Sequence, residues 1–283
     1  MFTLRQYLLA LLDSRGLTRT LGEIDVCRDE QGRPCFSAGN SAAVFRIRLG
    51  GRIRSLRCYL RPMRHLKEIY GQRLLEKELY LHTSPETGVW VDTVLGDWIE
   101  GSTLHETVAQ AAALRDRESL QILVRLFDRL ALALVTDNRA HGDLKPENII
   151  VGDDGTLCPI DFDASYLPAF AGEISPELGT AAYQHPARTA ADFDERIDDY
   201  PAALISTALH ALAEDPTLWD RYGSSDGLLY TPQRIASDPA YRETLALFEK
   251  RGMAVQYRIA QLLTAPTLRL FGLAELLAEA VRE

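Results

Sequence analysis

Cysteine is sparse in this chain. Four residues in 283, Cys27, Cys35, Cys58 and Cys158, lie apart with no C-x-x-C pair, which excludes a zinc cage and a disulfide framework. The thiols read as reduced, in a cytoplasmic setting. Long apolar runs are absent as well: the stretch from Tyr7 to Leu12 is closed by Asp13, too short for a signal peptide or a membrane span, so no membrane partner is expected. There is no excess of positive charge. Against 40 Asp+Glu stand 31 Lys+Arg, a net charge of -9, which disfavours broad affinity for DNA, RNA or anionic lipid, and no nucleic-acid partner is expected. No internal repeat, low-complexity tract or Pro/Gly-rich linker divides the chain.

The composition is that of a globular protein, and the length suits one large domain or two packed lobes. Residues 4–12 place Leu4, Leu8, Leu11 and Leu12 on one stripe of an amphipathic helix. From about Ile24 to Leu60 the text reads as strands and turns, with Val44 to Leu49 and Ile53 to Leu60 flanking a Gly50-Gly51 hairpin. A helix is predicted through Ile69, Arg73, Leu74, Leu75, Glu76 and Leu79, then a short strand from Val89 to Val94. Beyond it, Leu120, Leu123, Val124, Phe127, Leu130, Ala131 and Leu134 mark a long helix ending near Asn138. Further helices are predicted over 202–213, 241–250, 253–263 and 273–281. Between Arg46 and Lys67 lie eight basic residues and no acid, leaving 23 basic against 40 acidic residues elsewhere. Either a solvated strand face or a site for phosphate or an acidic partner accounts for that run.

Chemistry concentrates between His141 and Asp163. In His141-Gly142-Asp143-Leu144-Lys145-Pro146-Glu147-Asn148 a carboxylate sits on a tight loop before an apolar strand, and Asp161-Phe162-Asp163 follows. A carboxylate so placed orients a hydroxyl and accepts its proton, while Asn148 and Asp161 offer a neutral and an anionic oxygen to a divalent ion.

These segments resemble the protein kinase superfamily: HGDLKPEN is similar to H-R-D-x-K-x-x-N, and Asp161-Phe162-Asp163 to D-F-G. Asp97-Trp98-Ile99-Glu100 resembles the hinge between kinase lobes, Gly179-Thr180-Ala181-Ala182-Tyr183-Gln184-His185-Pro186 the end of an activation loop, and Asp198 the buried aspartate that opens a large-lobe helix. The resemblance implies an α+β, bilobal fold, with a small β-rich lobe (residues 23–96, after a helical extension over 1–22), a hinge at 97–104 and a mostly helical lobe over 105–283. It implies ATP and Mg²⁺ as cofactors, Asp143 as catalytic base, Lys145 on the transferred phosphoryl group, and Asn148 and Asp161 as magnesium ligands. Adenine would meet the backbone of Asp97, Trp98 and Ile99, with Val44 and Ser55 above it and Ile150 below. The substrate would be a protein or peptide hydroxyl. The helix at 4–12 would dock on the small lobe, steady the helix of Glu76 or form a homodimer.

Departures from the family's pattern lie mostly in the small lobe. The segment resembling G-x-G-x-x-G-x-V, from Ser37, keeps only Gly39 and Val44, and Arg57 stands where V-A-I-K has lysine, with Glu76 or Glu78 as its acidic partner. Arg57 either meets phosphate or belongs to the basic face; guanidinium does not replace ammonium conservatively. Gly142 replaces the arginine that in many kinases reads a phosphorylated loop, Asp163 replaces the D-F-G glycine, and Ala187 replaces the glutamate of A-P-E. Three readings follow: a divergent, bacterial-type Ser/Thr protein kinase, a nucleotide-binding pseudokinase or scaffold, and a small-molecule kinase of the antibiotic or choline type.

Overall fold

The computed structural model describes residues 1–282. The chain forms two compact units, Met1–Ile99 and Glu100–Glu283.

The first unit opens with helix α1 (Leu4–Leu12), started by a capping box in which Thr3 and Gln6 satisfy each other's backbone amides. Its inner stripe, Tyr7, Ala10 and Leu11, is buried, and the Tyr7 hydroxyl donates to the Tyr59 carbonyl at 2.6 Å. That stripe is therefore covered by the chain's own sheet. The strands are β1 (Asp25–Val26), β2 (Phe36–Ala38), β3 (Ala42–Leu49) and β4 (Arg52–Tyr59); after the short helix α2 (Leu66–Tyr70) come β5 (Leu74–His82) and β6 (Gly88–Asp97). They form one antiparallel sheet in the order β1-β3-β4-β6-β5, with β2 also on β3. Gly50 and Gly51, at φ 55° and 78°, make the primed turn that joins β3 to β4 without splaying them.

Period-two alternation then sorts the side chains. Ala43, Phe45, Ile47, Leu56 and Cys58 enter the core, while Val44, Arg46, Ser55 and Arg57 share the opposite face through the pairs Val44↔Arg57 and Arg46↔Ser55. The basic run is therefore divided: Arg46, Arg48 and Arg57 share this face, with the Arg46 guanidinium over the Trp98 ring and that of Arg57 over the Tyr59 ring, while Arg52 and Arg54 pair with Leu49 and Ile47 on the other face. All four cysteines are free thiols.

One predicted element is corrected. The helix expected through residues 69–79 stops at Tyr70, because Gly71 adopts φ 53°, ψ -124°, outside the helical region, and after a single 3-10 turn the chain enters β5. Leu, Glu and Lys favour a helix there locally, but pairing with β6 and burial of Leu79 and Leu81 outweigh that propensity. Glu76 consequently lies on a strand, exposed, and pairs with Lys67 at 3.4 Å. Glu78, the other acid considered for Arg57, is buried and accepts from the amides of Arg19, Thr20 and Leu21 and from the Thr20 hydroxyl, at 2.6–3.1 Å. This carboxylate pins the segment after α1 to β5. Glu78→Gln turns one acceptor into a donor facing donors, and urea denaturation is expected to show a loss of about 2–3 kcal/mol.

The second unit begins with strand β7 (Gly101–Thr103) and helices α3 (Leu104–Ala113) and α4 (Arg117–Thr136), continues through strands β8 (Ile149–Gly152) and β9 (Leu157–Pro159), and ends in helices α5 (Asp199–Glu214), α6 (Leu218–Tyr222), α7 (Pro239–Arg251), α8 (Ala254–Leu262) and α9 (Leu273–Ala280). Helix starts are chemically marked: a Thr103–Glu106 capping box for α3, Asp116 for α4, and Asp238 before Pro239 for α7, which Gly252 closes in a left-handed conformation. Helix α5 is buried almost throughout. It is cross-linked to α4 by Asp128, whose carboxylate meets Ser206 Oγ at 2.7 Å and His210 Nε2 at 2.8 Å. Strands β7, β8 and β9 form a small antiparallel sheet that carries the loop before β8. No helix among the described residues is long and apolar enough to cross a membrane.

Candidate active site

Asp198, one residue before α5, anchors the loop ahead of β8. Its carboxylate, 1% exposed, accepts from the amides of His141 and Gly142, the latter at 3.0 Å. Burial pushes its pKa above the ordinary carboxylate range, while the nearby His141 and these two amides act against that shift. Its neighbour Asp199 is buried too. There burial pushes the carboxyl up to about 7, opposed by one hydrogen bond from the Leu270 amide at 3.3 Å, and Oδ1 is buried without a hydrogen-bond partner. A raised folded-state pKa contributes stability at pH values below the ordinary 3.8 and loses it as the pH rises through about 7. Asp199→Asn is accordingly expected to flatten the stability profile over that window and to gain, at pH 8, up to about 4 kcal/mol, read from denaturation at several pH values.

His141 is buried and structural. Its Nε2 meets the Ile160 carbonyl at 2.8 Å, its Nδ1 accepts from the Asp143 amide at 3.4 Å, and its ring packs against Phe162. Those partners assign the ring proton to Nε2. Gly142 follows at φ 81°, with no space for a side chain: a Cβ there would stand 2.1 Å from the Ala164 carbonyl oxygen.

Asp143 is then presented in a fixed orientation. Its Oδ1 accepts from the Thr180 amide at 2.6 Å and its Oδ2 from Asn148 Nδ2 at 3.1 Å, while Lys145 Nζ lies 3.4 Å from Oδ2. Lys145 also donates to the Thr180 hydroxyl at 2.8 Å. Asp143, Lys145, Asn148 and Thr180 thus form one network, drawn from the loop and from the segment beginning at Gly179. Asn148 directs its amide N–H groups at the backbone carbonyl and carboxylate of Asp143, which orients its carbonyl oxygen as the side chain's remaining acceptor. Asp161 sits in the left-handed region at φ 68°, ψ 62°, a strained conformation of the kind that clusters at functional sites. Asp163 is buried in the 3-10 turn that follows.

That donor set suits a hard cation. Among the described residues no group of three His, Cys, Asp or Glu side chains makes a closed cage, and magnesium on a nucleotide does not use one, since one or two protein oxygens plus phosphates and water complete its shell.

Gly39 lies in the β2–β3 hairpin with its amide bonded to the Ala42 carbonyl at 2.9 Å, so the segment resembling a glycine-rich loop turns tightly about Asn40 and Ser41. Ser55 donates its hydroxyl to the Asp97 carbonyl at 3.1 Å, and Arg54 donates to the Gly96 carbonyl. Asp97 ends β6, with Trp98 and Ile99 following it. Ile150 is half-buried on β8, opposite Thr103 and Cys158. The His185 ring accepts from the Ala187 amide and meets the Ala265 carbonyl at 3.0 Å, a hydrogen-bonded link between this segment and the helical core where A-P-E kinases use glutamate. Sequence reading did not single out Gln184 or Arg188. Gln184 is buried, and Arg188 donates to it and, at 3.1 Å, to the Gly142 carbonyl; 46 positions separate Arg188 from Gly142, and no local pattern marks the contact.

No protein-family model matches the chain. Among characterised proteins it is similar to CBL-interacting protein kinase 17 of Oryza sativa subsp. japonica, 28% identical over 171 residues (58% of this chain, 35% of the relative). It is also similar to the serine/threonine-protein kinase PknL of Mycobacterium tuberculosis, 34% identical over 113 residues (38% and 27%). A third relative is the serine/threonine-protein kinase chk1 of Schizosaccharomyces pombe, 25% identical over 160 residues (55% and 31%). The matched regions span about a third of these relatives' lengths.

Proposed function

We propose, for a chain related to the protein kinase superfamily, that it transfers the γ-phosphoryl group of ATP to a serine or threonine hydroxyl of a protein. The observation that carries this reading is the Asp143–Lys145–Asn148–Thr180 network. Asp143 orients the acceptor hydroxyl and takes its proton. Lys145, bridging Asp143 and Thr180, holds a positive charge where the transferred oxygens gather negative charge. Asn148 and Asp161 would hold Mg²⁺, which neutralises phosphate charge when bound. Thr180 ties the segment that would receive the acceptor to the base itself, so substrate placement and proton acceptance share one hydrogen-bonded frame. On the first unit, Val44, Ser55 and the backbone of Asp97, Trp98 and Ile99 would serve adenine, and Arg57 would meet the phosphates in place of lysine; on the second, Ile150 is the apolar position we assign to the nucleotide.

The acceptor we propose is a basic protein segment. Residues 100–283 carry 16 Lys+Arg against 29 Asp+Glu, a field that draws positive partners.

The test is incubation of the full chain with γ-labelled ATP and Mg²⁺, alone and with a generic basic protein, followed by phosphoamino-acid analysis. Label on serine or threonine is the expected result. Arg57→Ala should raise the KM for ATP at least about tenfold, the value of a charge-assisted hydrogen bond. A second reading, a nucleotide-binding protein without transfer, draws on the shortness of α2 and on Glu76 pairing with Lys67; Mg-ATP binding with no label on any protein would favour it.

A further inference from the structure

We propose that Arg188 is a positioning residue that fixes the catalytic loop from the carboxyl-terminal side of the Gly179–Pro186 segment, doing so permanently and without a modified loop. The inference rests on the phosphotransfer reading above and goes beyond it in naming what holds the base.

The peptide ahead of Asp143 has little support of its own. Gly142 lies at φ 81° with the Ala164 carbonyl oxygen 2.1 Å from where a Cβ would stand, so the residue that would carry a side chain to brace the loop is a glycine by steric necessity. A glycine there also frees the backbone to move. On the amide side, Asp198 holds the N–H groups of His141 and Gly142. On the carbonyl side the holder is Arg188. Its Nη1 donates to the Gly142 carbonyl at 3.1 Å and also to Gln184 Oε1. Gly142 is therefore held at both its own N–H and its own C=O, by a carboxylate and by a cation.

Gln184 sets the direction of that cation. It is 5% exposed and is wedged where Gly179 passes the loop: a Cβ on Gly179 would be 2.8 Å from Gln184 Nε2, 2.7 Å from the Gly142 carbonyl and 3.0 Å from Asp143 Oδ1. The same close approach brings the Thr180 amide to Asp143. A turn in which the Arg188 amide donates to the His185 carbonyl at 2.9 Å aims the guanidinium back at the loop.

A purely structural arginine would not be expected to look like this. Nε and Nη2 of Arg188 are buried without hydrogen-bond partners, as is Nε2 of Gln184, and buried unpaired donors carry a desolvation cost. The burial acts to lower the pKa of Arg188, and the charges of Asp198 and Asp143 oppose it. An arginine kept under those conditions, with carboxylates on either side of the peptide it grips, serves geometry at the base.

The test uses the full chain with Arg188→Met, which keeps the stem and removes the donors, and Arg188→Lys, which returns one donor and the charge. With γ-labelled ATP and a basic acceptor protein, Arg188→Met is expected to lower kcat about 10²-fold with the KM for ATP within about twofold, as misplacement of a catalytic group does, and Arg188→Lys to recover about tenfold of that. Hydrogen–deuterium exchange, which needs no turnover, is expected to show faster exchange in Arg188→Met confined to residues 141–144. Unchanged kcat and unchanged exchange in Arg188→Met would overturn the inference. So would a loss of protection spread over all of residues 100–283, which marks a merely structural arginine. A wild type that transfers no phosphate overturns the phosphotransfer reading instead, and the exchange comparison then still decides whether Arg188 holds the loop.

Discussion

Asp143→Asn is expected to lower kcat about 10³-fold while leaving the KM for ATP within about threefold, the signature of a lost general base. The substitution keeps the side chain's shape and the acceptor for one of its two donors. What it removes is the second acceptor and the ability to take a proton. In the folded chain Oδ1 is committed to the Thr180 amide and Oδ2 to Asn148; an asparagine oriented to satisfy Thr180 turns its NH₂ toward Asn148 Nδ2 and Lys145 Nζ, all of them donors. The loop is consequently expected to loosen by about 1–3 kcal/mol, the cost of an unmatched buried group. Steady-state kinetics with varied ATP separate the two effects. Equal losses in kcat and in ATP affinity would instead assign Asp143 to nucleotide binding.

Restoring the arginine that many kinases carry ahead of the catalytic aspartate is expected to damage this protein rather than improve it. Gly142→Arg places a Cβ 2.1 Å from the Ala164 carbonyl oxygen on a residue at φ 81°. A left-handed conformation alone costs a non-glycine residue about 1–2 kcal/mol, and the overlap can be relieved only by moving the turn that carries Asp161 to Ala164 or the loop that carries Asp143. A total of about 4 kcal/mol or more is expected, large among single substitutions, and thermal unfolding should register it as a drop on the order of 10 °C. Gly142→Ala tests the same point without adding charge: it meets the same Cβ overlap and should reproduce most of the loss. Little change in either variant would show that the glycine's conformation is not required.

Much of the fold was legible because its signals are local. Helix α4 repeats apolar residues at helical spacing behind an Asp116 cap, the Gly50-Gly51 turn admits few conformations, and Asp198 lies directly before a helix rich in Ala, Leu and Ile. The loop residues Asp143, Lys145 and Asn148 stood out for a different reason: they lie within six consecutive positions, 143–148, of a segment that resembles a kinase catalytic loop. The stretch from Ile69 to Leu79 was not legible. Its residues suit a helix, and only the availability of β6 as a partner, together with a glycine in a non-helical conformation, turns it into a strand. Glu76 moved with it, from an expected place opposite Arg57 to an ion pair with Lys67.

By itself, then, the sequence determined the elements with strong periodicity, the hairpin, and the loop that gathers Asp143, Lys145 and Asn148, since each depends on residues within a few positions of one another. Tertiary structure alone decided what those elements meet. The Glu78 carboxylate receives amides 57 to 59 residues away, Thr180 closes on Asp143 across 37 positions, and Arg188 reaches the Gly142 carbonyl across 46. Such contacts form where the folded chain brings backbone donors and buried charges together, and no pattern of neighbouring residues specifies them.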